Sequence, residues 1–562
     1  MKQLVCILLS LLTTSALSST WAVSVADVIL TSEKVITMAG HRQAQPLAVA
    51  IKGEHILWLG DIGEMQTYRG PSTKIIDFGR QAILPGFIDA HGHASYLAMT
   101  TQAANIASPP VGSVENIADL QNTLRQYMKE RQIDDGGWVI GLGYDDSLLL
   151  ENRHPNRDDL DAVSTKHPIY LVHVSGHLAA ANSRALARVG INAESANPAG
   201  GIIRRRPGTA IPDGVLEESA QYPLRRYMNA PVQDPVATIQ TAMQTYASNG
   251  ITTVQDGAAS PETINLMRAA DAAGYVDLDV IMYPMGQTDP QAIQAAYNFG
   301  EYKGRVKVGG VKLMLDGSPQ GKTAYMSKPY LVPPLGQDAE YRGYPAIPQG
   351  RADDLVKSFA DNEIKILAHA NGDAAADMLI TAVRNAEIAS DHRTVMIHAQ
   401  TVREDQLTDM KTLGMIPSFF SAHSFYWGDW HRDSVFGVER ASRISPTAST
   451  VSRGMVFTIH NDAPIVPPDM IRLLWATTNR VTRSGKVLGA DQRISVYDAL
   501  KGMTRFAAYQ HFEESMKGTL EVGKLADFVV LSEDPLTMQA ADLLNLKIRA
   551  TYSRGLQVFP RN

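Results

Sequence analysis

The chain has 562 residues, of which 44% are hydrophobic and 20% charged, with a formal net charge of -6 and a pI near 6.2. This composition is typical of a soluble globular protein, and the length fits one large barrel with a small attached domain. The acidic balance gives no basic surface for nucleic acid, so we expect no nucleic-acid partner. Cys6 is the single cysteine, which excludes a disulfide framework and a thiolate zinc site.

Residues 1–26 are typical of a secretory signal peptide. Lys2 precedes an apolar run over residues 4–12, and small polar residues follow. The run is shorter than the ~20 residues that a membrane span needs. Residues 24–26, Ser-Val-Ala, resemble a small-x-small cleavage site, and cleavage after Ala22 is the alternative. We expect an exported protein, periplasmic or secreted, with no membrane segment after removal of the signal.

Both ends of the mature chain have a β texture. Residues 27–84 alternate strand-like runs with turn signals, as in LAVAIKGEHILWLG. Residues 505–562 return to the same texture with LADFVVLSED. We predict that these two segments join into one small β-sandwich domain.

Residues 85–504 repeatedly pair a short apolar run with a longer helical pattern, as in GITTVQDG followed by PETINLMRAADAAG. Strands that alternate with helices predict a parallel sheet, and a stretch of this length predicts an α/β fold with a (β/α)8 TIM barrel. A long insertion, at about residues 94–250, follows the first barrel strand. We expect it to cover the mouth of the barrel.

The run AILPGFIDAHGHASYLA, residues 82–98, carries the first chemical signal. Residues 82–89 predict a short buried strand with a Pro-Gly break. Because side chains alternate along a strand, His91 and His93 would share one face at its end. Two imidazoles on one face suit a divalent metal such as zinc. An incidental pair of histidines is the alternative.

Four further residues that could bind a metal ion lie in or just after apolar runs. Lys312 lies within VGGVKLMLDGS, His369 follows EIKILA, His398 follows TVMI, and Asp462 follows MVFTIHN. Barrel enzymes carry their chemistry at the carboxyl ends of the strands, so the ordered series predicts a metal site. Satisfied core histidines are the alternative, as is an ion pair between Lys312 and a carboxylate such as Asp316.

The series resembles the amidohydrolase superfamily, and more narrowly the family 3 branch of N-substituted formamide deformylase-like metal-dependent hydrolases. The resemblance covers nearly the whole mature chain. It rests on PGFIDAHGH, VSGHLAAANSRAL, GVLEESA, GVKLMLDGSPQGKTA, AHANGDAAAD, MIHAQ, HNDAPI and GTLEVGKLADFVVLSEDP.

This resemblance implies two zinc ions bridged by a carboxylated lysine. The implied ligands are His91, His93 and Asp462 for the more buried ion, His369 and His398 for the second, and Lys312 between them. A neutral amine can take up carbon dioxide, and the resulting carbamate suits two metals ~3.5–4 Å apart. A zinc-activated hydroxide would attack the substrate, with Asp462 as general base and then acid.

Three other histidine or amide side chains are candidate substrate contacts. By resemblance, His177 and Asn182 in the insertion would line the substrate pocket, with a structural role as the alternative. His460 shares the strand face of Asp462 and would either contact substrate or fill space. The aromatic run FFSAHSFYWGDWH, residues 419–431, is typical of a packed loop, although an apolar substrate pocket also needs such side chains.

We therefore expect a secreted metal-dependent amidohydrolase that cleaves a non-peptide C–N bond of a small-molecule substrate, such as an N-acyl or N-formyl amine. Two alternatives stay open: an ester or lactone hydrolase on the same site, and a non-catalytic exoenzyme-regulatory protein on this fold. The complete set of six metal-site residues favours an enzyme, because a retired site should have lost one of them. A homodimer stays open as the assembly.

Overall fold

The computed structural model describes residues 24–40, 42–228, 234–287, 289–334, 336–388 and 391–561. Cys6 and most of the predicted signal peptide lie outside the described residues. Within these ranges no helix combines the length and apolar character that crossing a membrane requires.

Helices follow strands through most of the chain. The α-helices of five or more residues are Ala94–Thr100, Ile117–Glu130, Arg157–Asp161, Ser183–Arg188, Pro235–Ser248, Pro261–Ala272, Pro290–Ala296, Gln349–Ala360, Asp373–Ala386, Glu404–Thr412, Val438–Ser442, Thr447–Ser452, Met470–Asn479, Val496–Met503 and Arg505–Gln510. Several begin at a side-chain cap with Pro in the first turn, as at Asp234, which accepts from the backbone N–H of Ala237.

Eight strands form a unit of the TIM-barrel type. They are β1 Phe87–Ile88, β2 Ile251–Ala259, β3 Asp279–Pro284, β4 Val311–Met314, β5 Ile366–Ala370, β6 Val395–His398, β7 Ile416–Phe419 and β8 Thr458–Ile459. Their ladders are parallel, β1 to β3 in one sheet and β4 to β8 in another. The first sheet continues beyond β3 with Val306–Val308, parallel to β3, and Tyr302–Lys303, antiparallel to that strand. The predicted α/β class is confirmed at this level.

Backbone hydrogen bonds link the two sheets near the site. The N–H of Gly286, after β3, donates to the carbonyl of Lys312 in β4 at 2.8 Å. Beyond β1 and β8, Asp462 N–H donates to His91 at 3.1 Å and His93 N–H donates to Ala463 at 2.7 Å. Among the described residues, no strand ladder completes the ring.

Both chain ends contribute to one mixed sheet. Its strands are Val28–Val35, Gln45–Lys52, His55–Gly60, Lys74–Asp77, Ala82–Pro85, Phe528–Leu531, Ile548–Ser553 and Leu556–Phe559. The two ends meet where Ala82–Pro85 pairs antiparallel with Phe528–Leu531. The shared sheet agrees with the expected pairing of the ends, whereas the sandwich form and the boundaries 27–84, 85–504 and 505–562 stay predictions.

The run at residues 82–89 differs from the single strand that its apolar pattern predicts. It is divided at Gly86 into Ala82–Pro85, in the sheet of the chain ends, and β1, in the barrel unit. A Cβ at Gly86 would collide with the side chain of Thr252 on β2. Glycine at this point therefore permits the close approach of two backbones.

The segment between β1 and β2 forms a sheet of its own. Its strands are Ala104–Asn105, Val139–Tyr144, Ile169–His173, Leu178–Ala181, Gly201–Arg205 and Pro212–Glu218. The end of the last strand approaches the loop at His177, whose carbonyl accepts from the N–H of Glu218 at 2.8 Å. The insertion thus has a separate sheet and brings these two residues together.

A buried ionic network ties the C-terminal segment to the start of β3. The Lys517 ammonium lies 2.5 Å from Asp279 Oδ2, and Arg554 lies 2.9 Å from Asp279 Oδ1. Glu513 adds a carboxylate oxygen 3.4 Å from the same ammonium. The side chains of Lys517, Asp279 and Glu513 are almost fully buried, so their charges depend on one another.

We predict that Asp279→Asn lowers the free energy of unfolding by about 3–5 kcal/mol, because it leaves a buried ammonium without its nearest counter-charge. Denaturant unfolding measures the loss. The control is Asp27→Asn, which removes a pair to Lys52 whose side chains are 52% and 49% exposed; its cost should stay below about 1 kcal/mol. Equal costs for the two variants would contradict a structural role for the network.

Candidate metal centre

His91, His93 and Asp462 meet in space beyond the ends of β1 and β8. The Nε2 atoms of His91 and His93 lie 3.3 and 3.2 Å from Asp462 Oδ1. The strand itself ends at Ile88, so the two histidines converge from a loop and not from a strand face. Asp462 has a left-handed φ of 58°, a strained conformation for a residue other than glycine.

Neighbouring groups fix the protons of both imidazoles. Gln255 donates its amide N–H to the carbonyl of Ala90 at 2.6 Å, so its Oε1 faces His91 Nδ1 at 2.5 Å. The carbonyl of Gly257 accepts from His93 Nδ1 at 2.7 Å. Because each Nδ1 carries a proton, each Nε2 presents a lone pair in the neutral imidazole.

Asp462 Oδ1, facing these two lone pairs, is buried and has no hydrogen-bond partner within the described part of the chain. Burial lowers the pKa of His91 well below its usual range, which favours the neutral ring. These two nitrogen lone pairs and one carboxylate oxygen, of which the His91 and Asp462 atoms are buried, are a donor set that fits a metal cation.

His369 and His398 form a second pair, at the ends of β5 and β6. His398 Nε2 lies 3.1 Å from His369 Nδ1. His369 Nε2 is 2.9 Å from the carbonyl of Gly317, which can only accept, so Nδ1 is left with a lone pair. Burial lowers the pKa of both rings well below the usual range. His91, His398 and Asp462 offer ligand atoms within 4.8 Å of one another, which brings the two pairs into one site.

Lys312 lies on β4 with its side chain buried and its Nζ 3.1 Å from His91 Nε2. Burial lowers the pKa of Lys312 to about 7, although nearby Asp462 raises it. Asp316 instead accepts from the backbone N–H groups of Asn371 and Gly372, at 3.0 and 2.8 Å. Within the described ranges, no carboxylate lies within 4 Å of the lysine ammonium, so the alternative of an ion pair with Asp316 is not seen.

A cavity of about 250 Å³ opens onto these side chains and is also lined by His177 and Glu218 of the insertion. His177 Nδ1 lies 2.8 Å from Glu218 Oε2, and the His177 ring centroid is 5.0 Å from that of His369. Glu218 has a left-handed φ of 47°. A Cβ at Gly317 would collide with Glu218 Oε1, so glycine there admits the carboxylate. The insertion thus places an oriented imidazole beside the candidate metal ligands.

The other two candidate substrate contacts, Asn182 and His460, are not among the residues that line this cavity. Asn182 is fully buried and caps helix Ser183–Arg188, because its Oδ1 accepts from Ala185 N–H at 2.9 Å. The same oxygen accepts from Ile169 N–H at 3.0 Å, so the side chain serves the insertion's own backbone. His460 lies behind His398, with Nε2 3.2 Å from His398 Nδ1 and Nδ1 2.9 Å from Ser418 Oγ.

Two polar residues that the sequence reasoning did not single out orient the site. Gln255 lies in GITTVQDG, an apolar strand with a polar residue near its end, which is a recognisable signal. Glu218 lies in GVLEESA, and only the fold brings it to His177. Such groups fix the tautomer and direction of a metal-binding or substrate-binding imidazole.

Comparison with known proteins gives consistent results. The sequence profile described as "Amidohydrolase family" matches residues 74–559. An N-substituted formamide deformylase of Arthrobacter pascens is 25% identical over 95% of this chain and 98% of its own length. An exoenzymes regulatory protein of Pectobacterium carotovorum subsp. carotovorum is 23% identical over 67% of this chain and 80% of its own. An uncharacterized metal-dependent hydrolase of Pyrococcus horikoshii OT3 superposes with a TM-score of 0.71 at 21% identity, covering 91% of this chain and 99% of that structure.

We predict that Gln255→Ala weakens metal binding by about 10–100-fold, because His91 loses the acceptor that orients it. Titration of the metal-free protein with zinc against a chromophoric chelator measures the affinity. The control is Gln400→Ala, a buried glutamine whose amide lies 3.1 Å from His431 Nε2. Unchanged zinc affinity in Gln255→Ala would show that the Gln255 contact does not orient a ligand.

Proposed function

This chain belongs to the amidohydrolase family, and we propose that it is an exported zinc-dependent hydrolase of a non-peptide C–N bond in a small amide, such as an N-acyl or N-formyl amine. One observation carries the proposal: the lone pairs of His91 and His93 converge on Asp462 Oδ1 beside buried Lys312, which has no carboxylate within 4 Å in the described part of the chain. The resemblance to an enzyme named for removing formyl groups supports an amide substrate. The pattern of residues 1–26 supports export.

Six residues would hold the metal ions. His91, His93 and Asp462 would bind one zinc ion, His369 and His398 would bind a second, and Lys312 would lie between them as a carbamate. A carbamate forms when the neutral amine adds to carbon dioxide and releases a proton, and its negative charge offsets part of that of two dications. When bound, the ions supply Lewis acidity and lower the pKa of water.

The chain's own groups would move the proton and orient the substrate. Asp462 would accept a proton from the attacking water and transfer it to the leaving amine nitrogen, so that bond cleavage avoids expelling an amide anion. His177, which lines the same cavity beside His369, would direct a hydrogen bond at the substrate oxygen. Glu218 is then a positioning residue, because its carboxylate holds His177 Nδ1.

We predict that Lys312→Ala reduces bound zinc from about two ions to about one per chain and abolishes activity, because the bridging anion is lost. A short carboxylic acid should restore part of the activity by occupying the place of the carbamate. Elemental analysis of the purified protein measures the metal content.

The matched control is Lys365→Ala. Lys365 is also buried and lies immediately before β5. Its ammonium donates to the backbone carbonyl of Arg393 at 3.0 Å. This variant should keep both ions. A Lys312→Ala protein with two ions and a full rate would refute the bridging role.

We predict that Asp462→Asn lowers kcat by roughly 10²–10⁴-fold, because an amide of nearly the same size cannot carry a proton. A screen of the zinc-loaded parent against N-acyl amines, N-formyl amines, esters and lactones supplies the substrate, and the variant is assayed on it. Thermal unfolding and metal analysis test whether the variant is folded. Equal rates would remove Asp462 from the mechanism, and a parent inactive on every compound would favour the regulatory alternative.

A further inference from the structure

A second cavity of about 230 Å³ lies directly beside the metal-site cavity. The two share Tyr96 and Ile465 as wall residues. Tyr96 belongs to helix Ala94–Thr100, which His93 precedes, and Ile465 follows Asp462 by three residues. The boundary that the two cavities share therefore lies next to two of the candidate ligands, His93 and Asp462. The second space is called the side cavity below.

Carbon dominates the walls of the side cavity. Three segments that are distant in the sequence supply most of it: Leu142 and Val174 from the insertion, Tyr426 and Trp427 from the aromatic run, and Pro464, Val466, Pro467 and Pro468 from the loop after β8. Aromatic and aliphatic walls of this kind favour an apolar ligand group.

Two charged residues, Asp145 and Arg483, also line the side cavity; within the described residues Asp145 is hydrogen-bonded, whereas the buried Nε of Arg483 has no hydrogen-bond partner. Asp145 accepts from Trp427 Nε1 at 2.6 Å and from Ser147 N–H at 3.0 Å. The guanidinium carbon of Arg483 lies 5.6 Å from the centroid of the Tyr426 ring. The Trp427–Asp145 bond also holds the aromatic run against the insertion, so the cavity is formed without a ligand.

The volume of the side cavity indicates which ligand groups it could hold. A dry apolar cavity of about 150 Å³ admits benzene, so 230 Å³ accommodates a substituted ring or a branched chain. Pockets for small molecules usually span ~300–1,000 Å³. Neither cavity reaches that range alone, whereas the two together do.

We propose that the side cavity binds the apolar substituent, an aromatic ring or a branched aliphatic chain, of an amide whose scissile bond lies in the metal-site cavity. The proposal rests on the proposed C–N hydrolysis for the position of the bond. It assigns the aromatic run at residues 419–431 a part in substrate selection in addition to packing.

Two valines on one segment provide a matched test. Val174 lines the side cavity, and Val172 lines the metal-site cavity. The substrates are amides with the same scissile bond that carry a methyl, isobutyl, phenylethyl or naphthylmethyl substituent. Val174→Phe should raise KM about tenfold or more for the two aromatic members and leave the methyl amide within about twofold. Val172→Phe should lower kcat/KM for every member of the series.

Thermal unfolding establishes that both variants are folded, and Val174→Leu, which adds one methylene, replaces Val174→Phe if the latter is not. An equal response of small and large substrates to the Val174 substitution would overturn the proposal. If the parent cleaves no amide, the proposed hydrolysis fails, and calorimetric binding of the naphthylmethyl amide decides the side cavity separately. Binding to the parent that Val174→Phe abolishes supports the cavity assignment, whereas equal or absent binding overturns it.

Discussion

The contact among three acceptor atoms, Nε2 of His91, Nε2 of His93 and Oδ1 of Asp462, is the constraint on which the site depends. At 3.2–3.3 Å from the carboxylate oxygen, the two nitrogen lone pairs and that oxygen would repel one another unless a proton or a metal cation lay among them. The rest of the fold must therefore hold them in place. Backbone hydrogen bonds between the loops after β1 and β8 hold these residues in place, and Asp462 adopts a strained left-handed φ there.

Burial of the candidate ligands also favours metal binding, through its effect on the pKa values of the histidines. Removing His91, His369 and His398 from water lowers the pKa of each ring, which favours the neutral imidazole that a metal ligand must be. The buried ionic network lies apart from the site: Lys517, Glu513 and Asp279 pair with one another at the start of β3, whereas the candidate ligands lie at or beyond the carboxyl ends of the strands. Stability and chemistry thus occupy opposite ends of the barrel unit.

The sequence predicts the strand–helix alternation and the ordered ligand series, because periodicity and strand-end position are local signals. It does not predict the division at Gly86, which depends on Thr252 approaching from β2. The bond between His91 and Gln255 spans 164 residues, and the contact of His177 with Glu218 needs the folded insertion. For Asn182, a motif match could not distinguish a pocket residue from a helix cap, since both uses favour the same amide side chain.

The barrel unit and the insertion supply different parts of the site, so the same candidate ligands can be combined with differently shaped substrate cavities. The candidate ligands come from strand ends and the loops beside them, whereas the insertion supplies His177, Glu218 and part of the side-cavity wall. A change in the insertion can therefore alter the shape of the cavity without moving a candidate metal ligand. The hydrogen bond from the indole of Trp427 to the buried carboxylate of Asp145 holds the aromatic run against the insertion. It therefore fixes this wall of the side cavity before any substrate binds.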